Sequence, residues 1–264
     1  MAETQIRFED GLSYEQYMGD WSRRVGTGFI DWLALPSSLK WIDVGCGNGA
    51  FTELIVERCA PNEVRGIDPS EAQLDFARKR PAARLAKFDH GDAMALPFPA
   101  NSFDAAIMAL VIFFVPDPAK GVAEMTRVVR PGGMVAAYAW DILGGGFTLE
   151  PLRIEMRAMG LEPVDPPSIE ACRIEAMRDL WTGAGLEAVE TREITVQRTF
   201  SNFEEFWQIT ISGAPSLRPT LAAMSPPDTE LFKTRVRTRL SSDPAGRITY
   251  ESRANAVKGR VPAG

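Results

Sequence analysis

The segment Trp41-Ile42-Asp43-Val44-Gly45-Cys46-Gly47-Asn48-Gly49-Ala50 constrains this chain more than any other. A short apolar-biased strand runs into three glycines at alternate positions, and Phe51 to Cys59 follows with the composition of a helix. Glycine adopts positive φ without a Cβ clash and lets the backbone approach a ligand closely. The first turn of the following helix carries free N–H groups and the positive end of the helix dipole. The segment therefore predicts a strand–turn–helix unit of an open α/β sheet, with a ligand at the carboxyl end of the strand.

The rest of the first half repeats the alternation. Residues 13–34 read as a helix that Ser13 could cap and that Gly19, Gly26 and Gly28 weaken or break. Glu63 to Asp68 reads as a strand ending on an acid, and a helix runs from Pro69-Ser70 to about Arg80. Residues 84–90, Phe103 to Phe114 and Met134 to Trp140 read as further strands. A helix is expected over 118–129, followed by a turn at Arg130-Pro131-Gly132-Gly133. Alternating β and α elements predict a mostly parallel sheet with helices on both faces.

After Gly144-Gly145-Gly146 the pattern loosens. Helices are expected near 148–160, 172–184, 202–212 and 226–240, with a strand pair near 187–199 and a last strand from Arg247 to Val257. The Pro-rich pieces 163–167 and 215–227 read as loops. The chain divides into a helical lid (1–40), a ligand-binding core (41–142), and a remainder (143–264) that adds core strands and a helical cap over the substrate.

Composition removes several function classes. The 264 residues carry 29 Lys plus Arg against 35 Asp plus Glu, a net charge of -6, with no basic block. Nucleic acid and anionic membrane are poor partners for such a chain. Cys46, Cys59 and Cys172 form no CxxC pair, which argues against a disulfide framework or zinc site and fits a reducing cytoplasm. His90 is the single histidine, so no mechanism can rest on two imidazoles, and no metal site is expected. The first twenty residues lack the pattern of a signal peptide. The apolar run over 105–115 is shorter than the ~20 residues a bilayer requires and reads as a buried strand.

The glycine-rich turn alone is ambiguous, because Gly45-x-Gly47-x-x-Ala50 also fits the fingerprint of NAD-dependent oxidoreductases. Asp43, two residues before the first glycine, would repel a pyrophosphate and could hold an ammonium. No Tyr-x-x-x-Lys, GxxxxGK[ST] or GxSxG occurs, which removes the short-chain dehydrogenase pair, the P-loop and the α/β-hydrolase elbow.

The segment 43–49 resembles motif I of class I S-adenosylmethionine-dependent methyltransferases. Four further blocks match in order: Gly66-Ile67-Asp68-Pro69-Ser70, Gly91-Asp92-Ala93-Met94-Ala95-Leu96-Pro97-Phe98, Phe103-Asp104 with its strand, and Arg130-Pro131-Gly132-Gly133. The similarity is nearest to the small-molecule branch with the ubiquinone- and menaquinone-type enzymes, and covers about residues 13–140. It implies a Rossmann-like, seven-stranded, mostly parallel sheet flanked by helices. It also implies S-adenosylmethionine as cofactor, S-adenosylhomocysteine as product, and a small apolar or aromatic acceptor. By that resemblance Asp43 and the backbone of Gly45 and Gly47 face the methionine part, Asp68 takes the ribose hydroxyls, and Gly49 and Pro69 also belong to the cofactor-binding set. Asp92 and Ala93 meet the adenine, and the backbone near Leu110 and Val111 passes below the sulfonium. Residues 14–24 resemble the lid of this branch. Tyr14, Tyr17 and Trp21 share one helical face, and aromatic rings attract a cation.

The remaining candidates carry bland readings beside the functional ones. Asp68 also stands where a side chain caps the next helix, and Asp92 where a solvated loop acid would. Cys46 fits the turn as a small residue better than as a reactive thiol. His90, beside Gly91-Asp92, and Asp141, at the end of a strand, are weak candidates for a catalytic base. Phe113, Trp140, Met156, Phe206 and Trp207 are candidates for the acceptor pocket. A module that binds the cofactor without catalysis remains an alternative.

Overall fold

The computed structural model describes residues 15–263. Seven strands form one sheet: β1 (Lys40–Val44), β2 (Glu63–Asp68), β3 (Ala86–His90), β4 (Phe103–Ala109), β5 (Val129–Trp140), β6 (Glu187–Phe200) and β7 (Ile248–Arg260), in the order β3-β2-β1-β4-β5-β7-β6. The first five pair parallel. β7 runs antiparallel to both β5 and β6. Strand order reverses between β1 and β4, and that reversal creates a crevice at the carboxyl edge.

The central strands are apolar throughout because helices cover both faces. Residues 41–44 of β1 and 105–108 of β4 are all buried. The covering helices are α1 (Asp20–Leu33), α2 (Ala50–Cys59), α3 (Glu71–Ala77), α4 (Pro118–Val128), α5 (Glu150–Ala158), α6 (Ile174–Gly183), α7 (Phe203–Gly213), α8 (Arg218–Ala223) and α9 (Pro226–Arg239). α4 starts where the sequence provides a cap and a proline: Asp117 accepts from Lys120 N at 3.1 Å and Pro118 occupies the first turn. α6 is pinned to the sheet by Trp181 Nε1, which donates to Val135 O at 2.8 Å.

Among the described residues the N-terminal helix changes its winding at Gly19 without breaking. Glu15–Gly19 forms a single π-helical turn, and α1 then runs through Gly26 and Gly28. Ser13 and Tyr14 lie outside the described residues. Trp21 packs edge-on against Trp140 and Tyr250, and Phe29 lies 4.8 Å from Tyr138, so α1 is riveted to β5 and β7 by aromatic pairs.

Several expectations need correction. The apolar run is not strand to Phe114: β4 ends at Ala109, Leu110 takes φ +62°, and Ile112–Phe114 is a 3₁₀ turn. The expected turn at 130–133 lies within β5, where the pairing with β4 slips between Phe103 and Ala105. The segment 187–200 is one strand rather than a pair. A bulge at Ala188, φ +48°, shifts its register without reversing the chain. The region 215–227 contains α8 instead of loop alone. As expected, the part after residue 143 adds core strands: β6 and β7 belong to the main sheet. Buried Glu155 on α5 accepts from Arg235 and Arg239 at 2.6 and 2.8 Å, which ties α9 to α5.

Candidate functional site

The glycine-rich turn leaves β1 beside the β1/β4 reversal. Gly45 N and Cys46 N both donate to Ile67 O, at 2.7 and 3.0 Å, which fastens the turn to β2. Gly45 has φ +75°, and a Cβ there would stand 2.5 Å from Val111 Cγ1, so only glycine fits. Gly47 differs: its φ is +51°, yet a Cβ would meet nothing within 4 Å. Its outer side is an open cradle at the mouth of the turn. Gly49 is the N-cap of α2.

Two acids flank this cradle. Asp43 is fully buried on β1, and its Oδ2 accepts from Thr52 Oγ1 at 2.6 Å. Its Oδ1 is buried without a hydrogen-bond partner among the described residues. Burial is the main cause that pushes the Asp43 pKa up to about 7; the Thr52 hydroxyl opposes the shift and the neighbouring Asp68 charge adds to it. An ammonium would supply the missing partner and the missing charge. The residues present thus fit a ligand with a cationic amine.

Asp68 ends β2. Its Oδ2 accepts from Gly47 N at 2.9 Å and its Oδ1 from Ser70 N at 2.8 Å. Burial raises its pKa, while those two N–H groups and His90 pull it down. Each oxygen keeps a second lone pair for a ligand hydroxyl. Asp68 thus braces the turn and fixes the backbone of Ser70, the N-cap residue of α3, without itself capping the helix. Cys46 lies between the acids, buried; burial and the charges of Asp43 and Asp68 push its pKa well up, which keeps the thiol neutral and unreactive.

The adenine-side candidates lie past β3. His90 is exposed, and its Nε2 is 3.1 Å from Pro69 O. Asp92 is exposed, with Oδ1 accepting from Met94 N at 2.8 Å and its carbonyl from Ala95 N at 3.0 Å; Ala93 is half-buried in that tight turn. Leu110 N donates to Tyr138 O at 2.8 Å, which holds the strained β4 exit at the crevice.

The fold brings one further space to this edge, an apolar cavity of about 60 Å³ whose walls include Tyr17, Met18, Leu110, Phe113, Trp140 and Phe147. Tyr17 Oη and Thr148 Oγ1 are 2.6 Å apart, so the N-terminal segment is tied to the stretch that leads into α5. Trp21, expected beside Tyr17, lies behind the cavity wall in the core. Met156, Phe206 and Trp207 are also core residues and do not line the cavity. Asp141 is taken up structurally: Arg253 donates to its Oδ2 at 3.0 and 2.5 Å, and Gly144 N to its Oδ1 at 3.1 Å. A larger cleft, about 680 Å³, lies between α4 and α6, away from the glycine-rich turn. Among the described residues, no group of three or more His, Cys, Asp or Glu side chains could hold a metal ion, and no helix is long and apolar enough to cross a membrane.

Sequence reasoning missed Arg153, a charged side chain on the wall of the apolar cavity. The signal was present: Leu149, Arg153 and Met156 share one helical face, and the other two are buried apolar residues.

The sheet order and the glycine-rich turn with its flanking acids form a Rossmann-like domain, and comparison with known proteins finds its likeness among methyltransferases. Residues 42–137 match the family described as a methyltransferase domain. Over 131 residues the chain is 37% identical to demethylmenaquinone methyltransferase of Staphylococcus aureus, a match covering 49% of this chain and 52% of that protein. The chain thus spans about half the length of the curated relatives it matches. Among solved structures, the YcgJ protein of Bacillus subtilis aligns with a TM-score of 0.59 and 17% identity, covering 91% of this chain and 99% of that one. Phosphoethanolamine N-methyltransferase 2 of Haemonchus contortus, in complex with S-adenosyl-L-methionine, aligns with a TM-score of 0.57 and 17% identity, covering 95% of this chain and 56% of that one. The two structures establish shared fold.

Proposed function

We propose that this protein is an S-adenosylmethionine-dependent methyltransferase acting on a small acceptor with an apolar or aromatic body. The observation that carries this reading is the buried Asp43 carboxylate, its Oδ1 without a partner among the described residues, on the strand that leads into the open glycine-rich turn. A pyrophosphate-bearing dinucleotide would bring negative charge to a position already holding two acids, which disfavours the NAD alternative.

In this reading Asp43 and the Gly45–Gly49 turn hold the methionine part, with Asp43 paired to its ammonium. Asp68 and Pro69 hold the ribose, Asp92 and Ala93 the adenine edge, and the backbone at Leu110 supports the sulfonium. When bound, S-adenosylmethionine supplies an electrophilic methyl group on a sulfonium whose charge disappears on transfer. Tyr17 closes the cavity over the reacting centre, with Trp21 fixing its helix from behind. The apolar walls exclude water and align the acceptor for in-line displacement. Proximity and orientation of that kind supply roughly 7–11 kcal/mol. Neither His90, which is exposed and turned to Pro69, nor Asp141, which is engaged by Arg253, is required as a base when the acceptor is already nucleophilic. Residues 1–40 act as lid, 41–142 as cofactor core, and 143–264 as completed sheet and cap. Free Cys46, Cys59 and Cys172 and the acidic net charge suit a protein of the reducing cytoplasm without nucleic-acid partners.

Calorimetry with S-adenosylmethionine, S-adenosylhomocysteine and NAD tests the cofactor. Binding of NAD alone overturns the proposal. A transfer screen with phenols, quinols, acids and amines tests the activity. Intact cofactor binding with no transfer across that screen favours a non-catalytic binding module.

A further inference from the structure

The acceptor cavity is apolar near the sheet, but its wall on α5 carries a cation. Arg153 is 3% exposed. One of its terminal nitrogens donates to Asp165 Oδ1 at 2.5 Å. Its Nε is buried with no hydrogen-bond partner among the described residues, since Glu150 Oε2 stands off at 3.9 Å. Glu150 is shared with Arg157, whose terminal nitrogen is 3.6 Å from the other carboxylate oxygen. The guanidinium carbon lies 6.0 Å from the centre of the Phe147 ring. Trp140, on the sheet side of the same cavity, has its indole N–H buried without a partner as well.

A buried arginine left with an unused donor is expensive unless something completes its hydrogen bonds. Arginine presents a planar fork of donors that matches a carboxylate. Asp165, the counter-ion in place, sits at the rim with its side chain 46% exposed, so it can yield to a competing anion without being buried itself. Leu110, at the cofactor edge, and Arg153 line the same cavity. A molecule filling it would reach both.

We propose that Arg153 determines acceptor specificity: it binds a planar anionic oxygen group, a carboxylate, on an acceptor whose apolar or aromatic body lies against Tyr17, Phe113 and Phe147. This rests on the methyl-transfer reading, and narrows the acceptor from apolar to amphipathic, with the anionic group at the α5 end and the methyl-accepting atom toward Leu110. Arg153 is a positioning residue in this scheme and takes no part in bond making.

The test uses the full chain loaded with S-adenosylhomocysteine, whose binding is measured first. Benzoate, 4-hydroxybenzoate and 2-naphthoate are then titrated against their neutral amides by calorimetry. The acids are expected to bind about tenfold or more tightly than the amides. Arg153→Gln should erase that preference and Arg153→Lys keep part of it, with S-adenosylhomocysteine affinity unchanged in both. Asp165→Asn, at a rim position that leaves the arginine in place, should raise acid affinity several-fold; a purely structural role for Arg153 predicts no gain. Absence of acid preference across the series, retention of it in Arg153→Gln, or no gain in Asp165→Asn overturns the proposal. Failure to bind S-adenosylhomocysteine overturns the methyl-transfer reading beneath it.

Discussion

Asp68 and Gly47 are joined by a hydrogen bond of 2.9 Å that runs from the backbone N–H of the glycine-rich turn to a carboxylate on the neighbouring strand. The same carboxylate accepts from the N–H of Ser70, the N-cap residue of α3. One side chain therefore fixes the shape of the cradle and keeps a lone pair on each oxygen for a ligand hydroxyl, the ribose of the proposed cofactor. Asp68→Ala is expected to weaken S-adenosylhomocysteine binding by about 1–3 kcal/mol, as for charged hydrogen bonds. Asp68→Asn should lose less, because one oxygen remains to brace the turn. An unchanged dissociation constant in Asp68→Ala removes the ribose assignment.

If Asp43 pairs with the amine of the cofactor as proposed, binding depends on pH in a calculable direction. Its pKa in the folded protein is about 7, against about 3.9 for an unperturbed aspartate. Between those values the folded protein holds the extra proton, so the stability contributed by this group falls as pH rises from about 4 to about 7. A cationic amine requires the ionised form, so binding has the opposite slope and weakens as pH drops below about 7. Binding at pH 6 should then release a proton, seen as a calorimetric enthalpy that changes with the ionisation heat of the buffer. Asp43→Asn should abolish that buffer dependence and cost affinity. A buffer-independent enthalpy in the native protein contradicts the pairing of Asp43 with an amine.

His90 pairs with the Pro69 carbonyl at 3.1 Å on the exposed side of the β2–β3 edge. His90→Gln preserves a hydrogen-bonding side chain there and is expected to retain most transfer activity. A loss greater than about 100-fold in kcat would restore the general-base assignment.

The parts of this molecule that were legible share a physical trait: local geometry forces the residue type. Gly45 must be glycine because Val111 occupies the space of its Cβ, and an acid must end β2 because two N–H groups converge there. The alternation of apolar strands and amphipathic helices likewise followed from burial on both sheet faces. The exit of β4 was illegible because a continuous apolar run, Ala105 to Val115, carries no mark of the backbone break at Leu110. The turn expected at Pro131-Gly132 became part of β5 because the long-range pairing with β4 and β7 outweighs local turn preference. The cap was hardest. Thr148 and Arg153 matter through contacts with Tyr17 and Asp165 that no local pattern specifies.

Asp141 should prove to be a stability residue. It is buried, and it receives two bonds from Arg253 and one from Gly144 N, which together hold the glycine-rich loop 144–146 against β7. Asp141→Ala leaves the Gly144 N–H and the half-exposed guanidinium without their acceptor. A destabilisation of about 1–3 kcal/mol is expected in chemical denaturation. Transfer by the fraction that remains folded should change little. A large fall in kcat with unchanged stability would instead mark Asp141 as part of the chemistry.

Tyr17 and Trp21 lie on one helical face yet should respond differently to mutation. Tyr17 lines the cavity, and its hydroxyl lies 2.6 Å from Thr148 Oγ1. Tyr17→Phe keeps the ring and removes that contact, so it should leave global stability within about 1.5 kcal/mol of the native value. In the proposed lid role of this segment, the effect should appear in the KM for the acceptor. Trp21 is buried between Trp140 and Tyr250, with ring centres 6.4 and 6.2 Å away. Trp21→Ala should empty a large core site and destabilise by about 3–5 kcal/mol. Thermal denaturation together with acceptor titration separates the two. If Tyr17→Phe lowers the melting temperature as much as Trp21→Ala and leaves KM unchanged, the segment is ordinary core packing and the lid assignment fails.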